Sequence, residues 1–122
     1  MTRSVKPPVS SRYRPWDVVV VPFPFSHRQA AKVRPAIIIS SQVLSQKTGK
    51  FLLAMVTSAG NQPHYGDVTI SDLHAAGLPG ASVVRASKLA TVEAGDLYKR
   101  TGTLPPGDRQ KIAIQLAEFI AR

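Results

Sequence analysis

Short apolar runs separated by polar turns dominate the chain between positions 16 and 104. Residues 17–21 form a β-branched run that is typical of a strand, and the following Pro-Phe-Pro-Phe segment ends it, because proline cannot donate to a central ladder. Further runs predict strands at residues 36–40, 51–56, 67–70, 82–85, 88–91 and 100–104. Such short strands indicate a small, strongly bent sheet or barrel.

The spacing of the apolar residues changes from that of strands to that of a helix after the Pro-Pro-Gly segment at residues 105–107. Asp108 is a favourable N-cap residue for a helix. Apolar residues then recur at helical spacing, at Ile112, Leu116, Phe119 and Ile120. Five to seven strands followed by one helix predict a mainly β fold with α, built as a small barrel with a C-terminal helix rather than as alternating βαβ units.

Length and composition predict one domain preceded by a basic arm. A chain of 122 residues, of which 43% are hydrophobic, can bury a single core. Residues 1–14 contain four Lys or Arg together with two prolines and several serines. We therefore expect a flexible basic arm over residues 1–14 and a single domain over residues 15–122.

The net charge and the absence of cysteine limit the possible classes of function. Sixteen Lys and Arg against seven Asp and Glu give a net charge of +9, which favours polyanionic partners such as nucleic acid, although a basic surface can also serve solubility alone. The absence of cysteine excludes disulfides, thiolate metal sites and cysteine nucleophiles. No apolar segment approaches the roughly 18 residues that span a bilayer, and the N-terminus lacks a signal-peptide core, so we expect a cytoplasmic protein without a membrane partner.

The histidines do not form a metal-binding pattern. His27, His64 and His74 lack the HxxxH spacing, and no pair of carboxylates flanks any of them. We expect no metal and no cofactor, and each histidine is best interpreted as a loop or surface residue.

Arg34 is the first candidate for binding an anion. It precedes the apolar run at 36–40, and no carboxylate lies between Asp17 and Asp67, so Arg34 has no acidic neighbour close in sequence. A guanidinium group without a local carboxylate can bind an anion, and the basic composition favours a phosphate.

Hydroxyl groups and a second arginine stand at two other predicted strand ends. Thr57 and Ser58 follow the run at 51–56, and Arg85 closes the run at 82–85. In a small sheet these ends can converge with Arg34 on one rim. Structural interpretations stay open, because Thr57 and Ser58 can simply begin a turn and Arg85 can pair with Asp67 or Asp72.

Four segments in this order resemble the MazF/PemK (Kid) toxin family. They are VVVVPFPF at 18–25, RPAIIIS at 34–40, VTS at 56–58 and VVR at 83–85, and the resemblance runs from about residue 16 to residue 120. It implies an SH3-like barrel with a terminal helix, a homodimer, and a sequence-specific, metal-independent endoribonuclease. Such a toxin of a type II toxin–antitoxin system cuts single-stranded RNA, mostly mRNA, and is blocked by a cognate antitoxin. DNA binding is expected only through the antitoxin complex.

The resemblance also implies catalytic roles. In this family the 2′-OH of the substrate attacks the phosphate, which leaves a 2′,3′-cyclic phosphate and a 5′-OH. Arg34 would contact the scissile phosphate and take part in proton transfer, and Thr57 would donate a hydrogen bond to a phosphoryl oxygen. Arg85 would stabilise charge or protonate the leaving oxygen. Ser87 occupies the catalytic position at which Kid-like members carry an aspartate, so the sequence offers the two arginines no carboxylate partner there.

The serine leaves the identity of the general base open, because a serine hydroxyl is a poor base at neutral pH. Arg34 in an unusual environment can take this role, as can His27 or His64. In the remaining alternative the enzyme is slow or inactive.

The predicted RNA-binding residues lie around the same rim. Phe25 and Tyr65 are candidate platforms for stacking bases, with core or dimer packing as the alternative. Arg28 and Lys32 are basic residues that can follow the phosphate backbone. The other candidates are His27, Ser58 and His64.

Two other function classes stay open. The serine at position 87, in place of an aspartate, is compatible with a catalytically weak or inactive nucleic-acid-binding module on the same fold. A CcdB-like toxin that poisons gyrase would share this barrel, and we rank it last because the chain ends at residues 120–122 without an aromatic tail.

Overall fold

One antiparallel sheet of six strands and three helices form the part of the protein that the structure, a computed structural model, describes: residues 12–23 and 32–122. The elements are β1 (Asp17–Phe23), β2 (Lys32–Ile38), α1 (Gln42–Thr48), β3 (Lys50–Ser58), β4 (Asp67–Thr69), α2 (Leu73–Ala76), β5 (Ser82–Glu93), a 3-10 turn (Ala94–Asp96), β6 (Lys99–Thr103) and α3 (Pro106–Phe119). The predicted mainly β class with a C-terminal helix is confirmed.

The sheet is open, although a barrel was expected. Its strand order is β4-β5-β3-β2-β1-β6, and the two edge strands do not pair with each other within the described residues. Instead α2, which follows β4, packs against β6: Thr101 Oγ1 donates to the carbonyl oxygen of Ala76 at 2.8 Å. Gly102 of β6 approaches the carbonyl of Ala75 so closely that a Cβ would overlap it. A helix therefore bridges the gap between the two edges.

The sheet buries apolar side chains on both of its faces. On β1, Val18 belongs to one core cluster, whereas Val19 and Val21 belong to a second cluster, because successive strand residues point to opposite faces. The first cluster, which we call the helix-side core, includes Ala76 of α2 and Ile112 of α3. Burial on both faces explains why β1 is an unbroken run of valines rather than an alternation of apolar and polar residues.

A bulge in β5 changes which face its side chains occupy. The β3–β5 pairs that flank this bulge are Met55–Arg85 and Ala54–Leu89. Residues 86–88 therefore have no counterpart on β3. Val84 lies in the helix-side core and Val92 in the second cluster, although both have even numbers, because an odd number of extra residues inverts the alternation. The two predicted pieces at 82–85 and 88–91 are thus one strand.

The helices differ from the prediction in two respects. The helices α1 and α2 were not predicted, since each buries a single residue and so leaves little apolar periodicity. The helix α3 begins at Pro106 with Pro105 as its N-cap residue, so Asp108 is not the cap. The buried Asp108 carboxylate instead accepts a hydrogen bond from the main-chain N–H of Ser71 at 2.9 Å and ties the segment after β4 to the helix.

The end of the predicted N-terminal arm contacts the core. Residues 1–11 lie outside the described residues, but the ring of Tyr13 packs edge-on against Phe51, with ring centroids 6.0 Å apart. Among residues 12–23 and 32–122, no helix is both long and apolar enough to cross a membrane.

Candidate active site

A cavity of about 350 Å³ brings together three residues that the sequence singled out, namely Arg34, Thr57 and Arg85. Its other lining residues are Met55, Val56, Asn61 and Lys88. A neighbouring cavity of about 370 Å³ shares Arg34, Val56, Thr57 and Asn61 with it, and adds Ser58 and residues 78–82. The predicted convergence of three strands on one site is therefore present in the structure.

The register of the sheet places Arg34 beside Thr57. The pairing between β2 and β3 ends at Ala36 and Met55. Two further residues along each strand bring Arg34 opposite Thr57, and both line the cavity. The strand β2 begins earlier than predicted, so Arg34 lies within it, because this part of β2 pairs with β1 through Val21.

Arg85 forms a two-pronged ion pair with Asp67. The two residues are partners in the pairing of β4 with β5. The Arg85 Nε donates to Asp67 Oδ1 at 3.0 Å, and Nη2 donates to Oδ2 at 2.9 Å. Each side chain is only 12% exposed. Arg85 therefore has a carboxylate partner after all, which a neighbouring strand supplies in place of position 87.

The ion pair keeps both groups charged. The hydrogen bond from Arg85 lowers the pKa of Asp67 from its ordinary value of 3.8, against the opposing effect of burial. The same bond raises the pKa of Arg85. At neutral pH Asp67 is therefore a carboxylate whose oxygens are both engaged, and Arg85 is a permanent cation.

Arg34 differs from Arg85 in its electrostatic environment. Its side chain is exposed, and within the described residues no carboxylate forms an ion pair with it. The positive charge of Arg34 is thus uncompensated at the wall of the cavity, whereas the charge of Arg85 is balanced by Asp67. An anion entering the cavity would therefore be attracted more strongly by Arg34 than by the neutralised pair of Arg85 and Asp67.

Asn61 orients the hydroxyl group of Thr57. The Asn61 Nδ2 donates to Thr57 Oγ1 at 2.6 Å. Because the hydroxyl oxygen accepts this bond, its own proton is free to point towards an acceptor in the cavity. Asn61 was not predicted from the sequence, in which its only signal was its place four residues after Thr57 in a polar loop.

The loop 59–66 also completes the ion pair through its main chain. The carbonyl oxygen of Gln62 accepts from Arg85 Nη2 at 2.9 Å. The main-chain N–H of His64 donates to Asp67 Oδ2 at 2.9 Å. The His64 side chain, proposed as a base, is exposed and lines neither cavity, so its observed contact is made by the backbone.

Tyr65 lies against α3 rather than at the cavity. Its hydroxyl group is 3.1 and 3.0 Å from the two carboxylate oxygens of Glu118, and its ring centroid is 6.0 Å from that of Phe119. Gly66, at φ 92°, is pressed against Phe119, so that a Cβ there would lie 2.5 Å from the ring. The far end of the loop is therefore fixed by the C-terminal helix.

The remaining predicted residues occupy different places. Ser87 is exposed on the β5 bulge and lines neither cavity, while Ser58 lines the second cavity. Lys32 is exposed two residues before Arg34, on the same face of β2. Lys88, which was not predicted, reaches the first cavity because of the bulge. Three predicted residues lie outside the described part of the chain: Phe25, His27 and Arg28.

The fold and the site define a small, mainly β protein with a cationic cavity suited to a phosphate-containing ligand. Residues 14–120 match the model of the PemK-like, MazF-like toxin of type II toxin–antitoxin systems, and the chain belongs to this family. Among curated protein sequences, none matches the chain significantly.

Solved structures share the fold at low sequence identity. The Mycobacterium tuberculosis toxin MazF-mt6 superposes with a TM-score of 0.67 at 19% identity, covering 84% of this chain and 93% of the toxin. A mycobacterial endoribonuclease in complex with its cognate antitoxin gives 0.70 at 16% identity, with 87% and 92% covered. MazF in a MazE–MazF structure from Deinococcus radiodurans gives 0.67 at 19% identity, with 88% and 93% covered.

Proposed function

We propose that this protein is an endoribonuclease toxin that cleaves single-stranded RNA at specific short sequences. The observation that carries the proposal is the lining of one cavity by Arg34, Thr57 and Arg85. Membership of the PemK-like and MazF-like toxin family supports the class. The likeness in fold to a mycobacterial endoribonuclease agrees with it.

The reaction that fits this site uses a nucleophile from the substrate. The 2′-oxygen attacks the adjacent phosphorus, the bond from phosphorus to the 5′-oxygen breaks, and a 2′,3′-cyclic phosphate and a 5′-OH result. One proton leaves the 2′-OH and one is delivered to the 5′-oxygen. The protein has to hold the ribose, stabilise the extra negative charge on the phosphoryl oxygens and transfer these protons. The proposal assigns none of these tasks to a metal ion.

The three side chains take different roles. The uncompensated charge of Arg34 attracts the scissile phosphate. Thr57, whose hydroxyl proton is free because Asn61 donates to its oxygen, gives a hydrogen bond to a phosphoryl oxygen. Arg85 stabilises the developing charge instead of acting as an acid, because its pKa is raised by Asp67.

Proton transfer is assigned to Arg34, which lines both cavities. Its guanidinium group gives one proton to the leaving 5′-oxygen and takes up the proton of the 2′-OH, so the group is positively charged again when the step ends. Asp67 is unsuited as a base, because its pKa is lowered and both of its oxygens accept hydrogen bonds. Ser87 lies away from the cavity. The variant His64→Ala tests the alternative that a histidine is the general base. An unchanged dependence of the cleavage rate on pH would exclude the His64 side chain from this role. Loss of one limb of the pH–rate profile would support the role.

The proposal includes a homodimer and a cognate antitoxin that competes with RNA. A MazE–MazF structure of similar fold supports a partner of this kind. Because Arg34 carries the uncompensated charge, an acidic antitoxin segment that folds on binding would cover it. Contact with DNA would then arise through the antitoxin complex.

The deciding experiment is cleavage of a defined RNA by the purified full chain in EDTA, with the product ends mapped. We expect cyclic-phosphate ends, and a loss of about 10²–10³ in rate for Arg34→Ala and for Arg85→Ala. Arg122→Ala removes the same charge from the exposed C-terminal residue and should cleave like the parent. Undiminished cleavage by both folded cavity variants would refute the site. Salt-sensitive RNA binding without any cyclic-phosphate product would favour the non-catalytic binding module.

A further inference from the structure

We infer that Asp67 is a positioning residue of the proposed endoribonuclease, which holds the guanidinium group of Arg85 so that Nη1 is presented to the cavity. The inference rests on the proposed function, and it assigns to the edge strand β4 a part in the reaction. Asp67 itself does not line the cavity of Arg34 and Thr57, but a separate cavity between β4 and α3.

The hydrogen bonds of Arg85 leave one nitrogen for the substrate. A guanidinium group has five N–H donors in a rigid plane, one on Nε and two on each terminal nitrogen. Nε donates to Asp67, and Nη2 donates to both Asp67 and the carbonyl oxygen of Gln62. Within the described part of the chain, Nη1 has no hydrogen-bond partner. Its two N–H groups are therefore the ones that remain for an anion in the cavity.

The geometry of the ion pair makes the position of Nη1 well defined. A planar group that is held at two of its nitrogens cannot rotate about its own axis without breaking a bond. Asp67 is itself held, because Oδ2 accepts from the main-chain N–H of His64 at 2.9 Å and the Asp67 N–H donates to the His64 carbonyl oxygen at 3.1 Å. A paired strand thus carries the carboxylate, whereas position 87 lies on an exposed bulge.

The charge balance separates this role from simple RNA binding. Because Asp67 neutralises Arg85, the pair contributes little to the long-range attraction of RNA, which comes from Arg34 and the other basic residues. Replacing Asp67 by asparagine removes one negative charge, so the charge of Arg85 is no longer balanced, and it leaves at most one of the two acceptor oxygens that hold the guanidinium group. A positioning role therefore predicts a lower kcat, calculated per mole of folded protein, together with an unchanged or lower KM. Loss of folded protein would lower only the apparent kcat, so the folded fraction of each variant is measured and used to correct it.

The test is steady-state cleavage of a fluorogenic RNA by the full chain, as parent and as Asp67→Asn. We expect kcat to fall at least tenfold while KM stays constant or decreases. Glu93→Gln is the matched control: it makes the same charge change at an exposed residue far along β5 and should leave both constants unchanged. Asp67→Glu retains the charge but displaces the carboxylate, and its kcat should lie between those of the parent and Asp67→Asn.

The outcomes distinguish the inference from the proposed function. If the parent cleaves RNA and Asp67→Asn cleaves with the same kcat, the positioning role is overturned and the ribonuclease stands. If Asp67→Asn does not fold, as judged by thermal denaturation, Asp67→Glu decides in the same way, and a parental kcat overturns the inference. If the parent cleaves no RNA, the proposed function falls and the inference falls with it.

Discussion

The short hydrogen bond from Asn61 to Thr57 makes it possible to test separately whether the proposed catalysis needs the Thr57 hydroxyl group and whether it needs that group to be oriented. The bond measures 2.6 Å from Nδ2 to Oγ1 and leaves the hydroxyl proton free for a phosphoryl oxygen. Thr57→Val preserves the shape of the side chain and removes this donor. Loss of one such donor costs on the order of 10²–10³ in rate, so we expect kcat to fall by about this factor.

Asn61→Ala should have a much smaller effect, because it keeps the hydroxyl group and removes only the bond that orients it. A hydrogen bond between neutral groups contributes about 1 kcal/mol net. If all of this is expressed in the transition state, kcat falls roughly fivefold at 25 °C. The two losses should not multiply. The double variant should be no slower than Thr57→Val, since Asn61 is expected to act through the hydroxyl that the valine lacks.

Initial rates of RNA cleavage at saturating substrate are measured for the parent, the two single variants and the double variant, which together form a double-mutant cycle. Thr57→Ser is the control, because it keeps a hydroxyl group on the same strand and should retain most of the activity. A fivefold loss from Asn61→Ala that persists in the Thr57→Val background would mean that Asn61 contacts the RNA directly. A decrease of less than about threefold in Thr57→Val itself would refute the role of the hydroxyl group as a donor in the transition state.

Two further predictions concern stability. Gly102→Ala should lower the melting temperature by roughly 10 °C, which corresponds to about 3 kcal/mol, because its Cβ would overlap the carbonyl of Ala75. Gly95→Ala is the control, since the space around Gly95 is open, and it should melt like the parent. Equal melting temperatures of the two variants would contradict the close contact at Gly102. The ion pair of Asp67 stabilises the fold fully above its ordinary pKa of 3.8, and this stabilisation is lost as the pH falls through the lowered pKa of the folded state. Thermal denaturation over this acid range should therefore show a loss in the parent that is smaller in Asp67→Asn, and parallel pH profiles would count against the ion pair.

The strands were predictable where burial on both faces leaves an unmistakable apolar run. The valines of β1 and the apolar stretch of β3 are of this kind, since neighbouring residues enter different core clusters. The extent of β2 was not predictable in the same way. Its first half contains exposed residues, and it is a strand because it pairs with β1, which is a tertiary interaction.

The helices were less predictable than the strands. The segment of α1 is polar and buries only Ser45, so no period of apolar residues marks it. At α3 the sequence offered a good capping residue in Asp108, but the carboxylate bonds to Ser71 instead, and the helix starts with the favourable Pro106 in its first turn. A local preference was overruled by a contact between distant parts of the chain.

The two arginines and the threonine of the candidate site were predictable from the sequence, but the side chains that hydrogen-bond to them were not. Arg34, Thr57 and Arg85 were identified from their order along the chain. The sequence left Asp67 and Asp72 as equal candidates to pair with Arg85. The strand register decides between them: Asp67 lies opposite Arg85, whereas Asp72 caps α2 by accepting from the main-chain N–H of Ala75 at 3.0 Å.

The β5 bulge makes the mouth of the cavity tolerant of substitution but intolerant of insertion and deletion. Ser87 and Lys88 are exposed residues of the bulge, and replacing Ser87 should leave the core undisturbed. Deleting either residue would make the number of extra residues even and would turn Val92 out of its cluster. The constraint on this stretch is thus one of length rather than of identity. Position 87 can therefore carry residues other than serine while the fold is preserved, as long as the number of extra residues in the bulge stays odd.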